Sequence, residues 1–246
     1  MSNVVKVAVI IPCFNEEQNV LKLYHEIKSI VLTSDIQLCP IFINDCSTDK
    51  TIDVLISNNI PYINLPVNLG IGGAVQTGYK YACRNGFDVA VQMDGDGQHP
   101  PCQLEKILSP ILQGKCDVSI GSRYITREGF QSSLARRVGI NYFKWLNNLL
   151  VSVIVHDSTS GYRALNAKAL EVVAHYYPDE YPEPEAIILY SLNGLKISEV
   201  PVVMRERENG QSSIRSYKTV YYMFKVSLGI LFLFIRLKFN GKRNTL

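Results

Sequence analysis

The sequence predicts an α/β protein, a mostly parallel, doubly wound sheet with helices on both faces. Three observations predict it. Short β-branched runs (residues 4–12, 40–44, 89–93 and 117–121) alternate with helix-length segments. The runs are almost continuously apolar, as strands buried on both faces of a parallel sheet must be. Polar clusters follow the runs directly, at the strand ends where such sheets bind ligands.

Each element follows from local pattern. Val4 to Pro12 forms the first strand, and Pro12 ends it. Cys13 to Glu17 leads into a helix to about Val31, with Asn15 as its expected N-cap and acidic residues in its first turn. Pro40–Asn44 is a second strand running into Asp45-Cys-Ser-Thr-Asp49, a loop before a helix from Thr51 to about Ser57. A weaker strand near 62–65 precedes Asn68-Leu-Gly-Ile-Gly-Gly73 and a helix from Ala74 to about Arg84. Glycines ahead of a helix let Gly70 and its neighbours approach a phosphate with free N–H groups. Close packing of helix on sheet explains the same glycines equally well. The rhythm repeats through 89–93, 101–112 and 117–121.

Asp94-Gly-Asp-Gly-Gln-His-Pro-Pro101 closes the 89–93 strand. Asp94 and Asp96 stand at i and i+2 across Gly95, a spacing that brings two hard oxygen ligands to one side of a strand end. Such a pair suits Mg²⁺ or Mn²⁺ completed by water and substrate phosphates, with Gln98 adding a neutral oxygen. The plain alternative is an acidic turn that binds nothing.

Residues 132–155 read as a long amphipathic helix, with Leu134, Val138, Tyr142, Trp145, Leu149 and Val153 in one stripe. Taken alone, the stripe reads first as a core face. Arg136, Arg137 and Lys144 beside Trp145 also allow an interfacial helix. After Asp157-Ser-Thr-Ser-Gly-Tyr-Arg163 comes a helix over 168–175. The prolines of 177–185 then predict an extended loop carrying Glu183 and Glu185.

Composition narrows the class. With 47% hydrophobic and 19% charged residues the chain is globular rather than disordered. It starts without the regions of a signal peptide, and its six cysteines form no Cys-x-x-Cys pair. Reduced thiols in a cytosolic chain are therefore expected, without structural zinc. The net charge of +3 is uneven, because residues 204–246 carry nine Lys/Arg against two Glu. No nucleic-acid motif accompanies that basic tail. Its uncharged stretch Val226–Ile235 is short for a bilayer span of about 20 residues. A helix lying at the membrane surface, or docked on a small membrane protein or a second copy of the chain, is the expectation.

Pro12-x-Phe-Asn-Glu16, Asn44-Asp-Cys-Ser-Thr-Asp-Lys-Thr51, Asp94 to Pro101, Gly121-Ser-Arg-Tyr124 and Ser160-Gly-Tyr-Arg163 occur in one order. In combination they resemble glycosyltransferase family 2 of the GT-A fold. Within it, the likeness is to small enzymes that load a sugar onto a polyprenyl phosphate, such as dolichyl-phosphate mannosyltransferases. It covers roughly residues 5–213, leaving 214–246 as a membrane-associating segment. Two positions depart from the pattern. Asn44 stands for the first loop aspartate, and Ser213 for the lysine after Arg207-Glu-Asn-Gly-Gln-Ser.

The resemblance implies an inverting transfer of a hexose or N-acetylhexosamine from a nucleotide sugar to a polyprenyl phosphate at the cytoplasmic membrane face. A UDP-sugar is favoured as donor, with GDP-mannose allowed. Pro12, Phe14, Glu16, Asp45, Gly70, Asp94 and Gly95 would bind the donor. Asp94, Asp96 and Gln98 would hold the metal. Arg123, Arg137, Asn141 and Arg207 would gather the acceptor phosphate. Glu185 would serve as a base or line the acceptor entrance. Two other classes compete: transfer to a sugar hydroxyl, which requires a carboxylate base, and a non-catalytic binding protein of a membrane complex.

Overall fold

The computed structural model describes residues 4–32, 35–126, 128, 134–206 and 218–240. The strands are β1 (Val5–Cys13), β2 (Ile36–Asn44), β3 (Tyr62–Asn64), β4 (Val89–Gln92), β5 (Val118–Ser122), β6 (Arg163–Asn166) and β7 (Ile197–Pro201). The helices are α1 (Val20–Lys28), α2 (Thr51–Ser57), α3 (Gly70–Arg84), α4 (Leu104–Leu112), α5 (Leu134–Val151), α6 (Ala167–His175), α7 (Pro182–Leu192) and α8 (Lys218–Asn240).

The strands form one sheet in the order β3-β2-β1-β4-β6-β5-β7. Every pairing is parallel except those of β6, which runs antiparallel to β4 and β5. The sheet is thus mostly parallel, as expected, with one reversed strand. That reversal has a consequence for the site. β1, β2, β4 and β5 end at the same edge where β6 begins, with Arg163 opposite Gln92. The 157–162 segment therefore arrives beside the strand ends. β6 is four residues long, too short to show a period.

Alternation along β1 splits the core. Ala8 and Ile10 join a cluster with α3, α5, α6, α7 and α8, while Val7, Val9 and Ile11 join one with α1, α2 and α4. The outer helix α8 belongs to the first cluster through Val226, Ile230 and Leu233, spaced i, i+4, i+7. Burying each such side chain contributes roughly 1.5–3 kcal/mol. No described helix is long and apolar enough to cross a membrane.

Four local expectations are corrected. α1 begins at Val20 with Asn19 as N-cap and no acidic residue in its first turn. Asn15 instead takes φ 59° in the preceding loop. α3 begins at Gly70, so the glycine run lies inside the helix. Residues 182–192 are helical, because Pro182 and Pro184 fall in the first turn, where backbone N–H groups have no intrahelical acceptor to lose. Finally, Val138, Trp145 and Leu149 face outward, and the buried side of α5 is Ile140, Phe143 and Asn147.

Candidate active site

The site is built on loops at the common strand edge. After β1, Asn15 Oδ1 accepts the N–H groups of Thr48 (2.8 Å) and Asp49 (3.3 Å), while its own N–H donates to Ser47 Oγ. Glu16 N–H donates to Thr51 Oγ1 at 2.8 Å, and Glu16 Oε2 accepts from Asn19 Nδ2 at 2.6 Å. The loops after β1 and β2 are thus one interlocked unit. Pro12 is buried in it, and Phe14 stands out from it, 49% exposed.

Asp45, 4% exposed, accepts the Leu69 N–H on Oδ1 at 2.7 Å, and its carbonyl accepts from Asn68 Nδ2. The Gly70 N–H goes to Asn68 Oδ1 and the Gly72 N–H to Asp179 O. These bonds take up the N–H groups of Leu69, Gly70 and Gly72 at the start of α3. A Cβ on Gly72 would overlap the carbonyls of Pro178 and Asp179, so this glycine serves close packing. Asn44 is explained by its neighbour: Nδ2 donates to Asn64 Oδ1 at 2.7 Å, a bond an aspartate cannot make.

The turn after β4 holds the two aspartates differently. Asp94 is about one-third exposed. Asp96 is 4% exposed, and its Oδ1 accepts the Gln98 N–H at 2.9 Å. With Gly97 it lines a small recess shared with Asn19, Lys22, Glu26 and Arg205. Gln98 is further tied through its carbonyl, which accepts the Arg205 N–H. Gly95 makes room for β1, since a Cβ there would lie 2.9 Å from Pro12 O and 3.0 Å from Cys13 Sγ. On the other side, a Cβ on Gly161 would lie 3.1 Å from Asp94 Oδ1. The Ser160-Gly-Tyr-Arg163 segment therefore presses against Asp94.

That segment is fixed from within. Asp157, fully buried, takes Arg123 in a two-pronged pair: Nε to Oδ2 at 2.7 Å and Nη2 to Oδ1 at 2.8 Å. Burial lowers the Arg123 pKa, but the Asp157 carboxylate more than offsets it and leaves the group above its ordinary value. Glu199 on β7 accepts the N–H groups of His156 and Asp157. Arg163 donates to Ser160 O, Ser158 O and Glu183 O, joining the segment to the start of α7.

Other predicted residues lie apart or face elsewhere. Arg137 and Asn141 are exposed one turn apart on α5, beside Val138 and Trp145. Arg207 lies outside the described residues. Glu185 is turned to α8, where a Cβ on Gly229 would lie 2.5 Å from its Oε1. Burial raises its pKa to about 7, with Asp179, Glu180 and Glu183 adding to the effect. The carboxylate of α7 that faces the site is Glu183. Burial pushes its pKa up, Arg163 opposes the rise, and Asp94 adds to it. From the sequence Glu183 is only a loop carboxylate. Its placement depends on the helix start that the prolines concealed.

Among the described residues no three His, Cys, Asp or Glu side chains converge as a closed metal cage. The partly exposed carboxylate of Asp94 at a strand end is an open, hard-oxygen arrangement that suits Mg²⁺ or Mn²⁺ held largely by water and substrate phosphates.

Comparison with known proteins fits this geometry. Residues 8–173 match the glycosyl transferase family 2 model. The chain belongs to that family and is a glycosyltransferase. Over 169 residues it is 33% identical to the UDP-N-acetylglucosamine–dolichyl-phosphate N-acetylglucosaminyltransferase of Methanococcus voltae, covering 66% of this chain and 67% of the relative. It is 28% identical to the polyprenol monophosphomannose synthase of Mycolicibacterium smegmatis, covering 89% and 84%. The fold is similar to that of glucosyl-3-phosphoglycerate synthase from Mycobacterium tuberculosis, solved with Mn²⁺ and UDP-glucose. That likeness has a TM-score of 0.67 at 20% identity, covering 92% and 78%.

Proposed function

We propose that this chain transfers a hexose or N-acetylhexosamine, with inversion, from a nucleotide sugar to a polyprenyl phosphate at the cytoplasmic face of a membrane. A UDP-sugar is the favoured donor, with GDP-mannose the second choice. The observation that carries the reading is the position of Asp94. It stands about one-third exposed between the interlocked β1 and β2 loops on one side and the 157–163 segment on the other. In this reading Phe14 and Pro12 border the nucleoside, with Asp45 and Glu16 holding the loops that receive it. Asp94, with Asp96 behind it, holds Mg²⁺ or Mn²⁺. A divalent ion bound there stabilises charge developing on the leaving diphosphate.

The acceptor is already an anion and needs placement more than a base. Arg137 and Asn141 on the open face of α5 are suited to its phosphate, and Arg123 acts from its pair with Asp157. α8 supports lipid contact in particular. Its inner stripe is Val226, Ile230 and Leu233, while Tyr221, Phe224, Phe232, Ile235 and Phe239 are exposed on the opposite face. Lys225 and Arg236 lie at the edge of that face, Lys225 paired with Glu180 and Arg236 over the Tyr176 ring at 4.1 Å. The M. voltae and M. smegmatis relatives carry dolichyl-phosphate and polyprenol acceptors in their names.

One observation favours a second reading, transfer to a sugar hydroxyl. Glu183, at the start of α7 with a pKa raised by burial and further by Asp94, is the carboxylate that would act as the base. Purified enzyme screened with UDP- and GDP-sugars separates the two, using polyprenyl phosphate or free glycans as acceptors. The proposal expects lipid product that disappears with EDTA, returns with Mn²⁺ or Mg²⁺, and falls at least 10²-fold in Asp94→Asn, the scale of losing a principal electrostatic contact. Product on glycans alone would transfer the assignment to the second reading.

A further inference from the structure

His99 is 3% exposed and lies inside the Asp94–Pro101 turn. Its Nδ1 accepts the backbone N–H of Asp94 at 3.0 Å. An imidazole nitrogen that accepts carries no proton, so the proton resides on Nε2. Nε2 lies 3.7 Å from Asp94 Oδ2, so the protonated edge of the ring faces the carboxylate. The ring is stacked on Tyr162, with centroids 4.8 Å apart and planes 12° from parallel. Tyr162 in turn donates its hydroxyl to Pro100 O at 3.2 Å. One side chain thus holds Asp94 at its backbone, faces its carboxylate and is clamped by the segment that carries Asp157 and Gly161.

We propose that His99 is a positioning residue for Asp94. Its neutral, Nε2-protonated ring, locked by Tyr162, fixes the direction in which the Asp94 carboxylate meets a divalent cation and the donor diphosphate. The proposal rests on the metal-dependent reading given above. It explains why the turn contains a buried histidine. It also links the two motif segments, because the stack ties the β4 turn to the 157–163 segment that holds Arg123. Partners of this kind typically alter metal affinity 10–100-fold when removed.

Two substitutions separate positioning from packing. His99→Phe keeps a flat ring for Tyr162 and removes the acceptor. His99→Asn loses the stack but places an amide oxygen near the position of Nδ1. Mn²⁺ affinity is read from the electron paramagnetic resonance signal of free Mn²⁺, with UDP or GDP present, alongside kcat, KM and thermal unfolding. The expected result is Mn²⁺ affinity at least tenfold weaker in His99→Phe, with kcat falling more than donor KM rises. His99→Asn should lie closer to wild type in affinity even if its Tm is lower. Unchanged affinity in His99→Phe, or equal losses in both variants, would overturn the proposal. A wild-type protein that binds no Mn²⁺ with either nucleotide would instead defeat the metal reading itself, and the role of His99 with it.

Discussion

The strand-end loops and the outer helices solve opposite problems. In the loops after β1, β2 and β4, the polar groups of one segment are satisfied by the next: Asn15 by 47–49, Glu16 by Asn19 and Thr51, Asp45 by Leu69 and Asn68. On α5 and α8 the exposed faces carry large apolar side chains, with Val138, Trp145, Leu149, Phe224 and Phe232 each more than half exposed, and on α5 Arg137 and Asn141 stand among them. The first region is preorganised by hydrogen bonds. The second gains its partner from outside the chain, in the proposed reading a lipid surface. A rigid donor edge beside an open apolar face is the arrangement expected when one substrate is a soluble nucleotide and the other a membrane lipid.

The largest effect expected from breaking the first region lies at Asp157. Its pair with Arg123 is buried on both sides. Asp157→Ala leaves the guanidinium buried without its partner and should cost about 3–5 kcal/mol of stability, measured by urea unfolding. Replacing both partners together, Asp157→Leu with Arg123→Met, should recover much of that loss. A cost below about 1 kcal/mol for the single variant would make this an ordinary surface-like pair and remove the internal brace from the 157–163 segment.

A smaller effect sharpens the second region. Glu185 lies between α7 and α8 with its pKa raised to about 7 from an ordinary 4.5. The folded chain therefore holds a proton that the unfolded chain has already released. Its stabilising contribution is complete below about pH 4.5, falls as pH rises, and is lost above about pH 7. Glu185→Gln should flatten that decline and raise Tm at pH 8 by about 2–4 °C, on the order of 1 kcal/mol once solvent screening is allowed for. Parallel pH–stability curves for the two proteins would show that the carboxyl is solvated and not part of the α7–α8 contact.

The same contrast explains what the sequence disclosed. Strand-end motifs were legible because turn chemistry is local. Asp45, Asp94, Asp96 and Arg123 all follow strands that end at the predicted edge. The helices were harder to read. α5 carries two apolar stripes, and periodicity alone does not reveal which one the core takes; Ile140 and Phe143 won over Val138, Trp145 and Leu149. β6 was too short to signal its reversal. Proline reads as a helix breaker, but Pro182 and Pro184 fall in a first turn that tolerates it, and this hides Glu183 at the start of α7. The inward turn of Asp96, spent on the Gln98 N–H, depends on side-chain geometry that spacing does not encode.

The central claim is that the donor edge and the outer apolar face act on different substrates of one transfer. The most direct test pairs Phe224→Glu with Phe232→Glu and compares two acceptors, a long polyprenyl phosphate in anionic vesicles and a short, water-soluble prenyl phosphate. Each phenylalanine withheld from the bilayer should remove about 1.5–3 kcal/mol of membrane attachment. The account predicts loss of vesicle binding and a drop of at least tenfold in transfer to the long lipid. Transfer to the short acceptor and nucleotide affinity should stay near wild type. Equal activity of the double variant and wild type on the long lipid, or an equal fall on both acceptors, would contradict it.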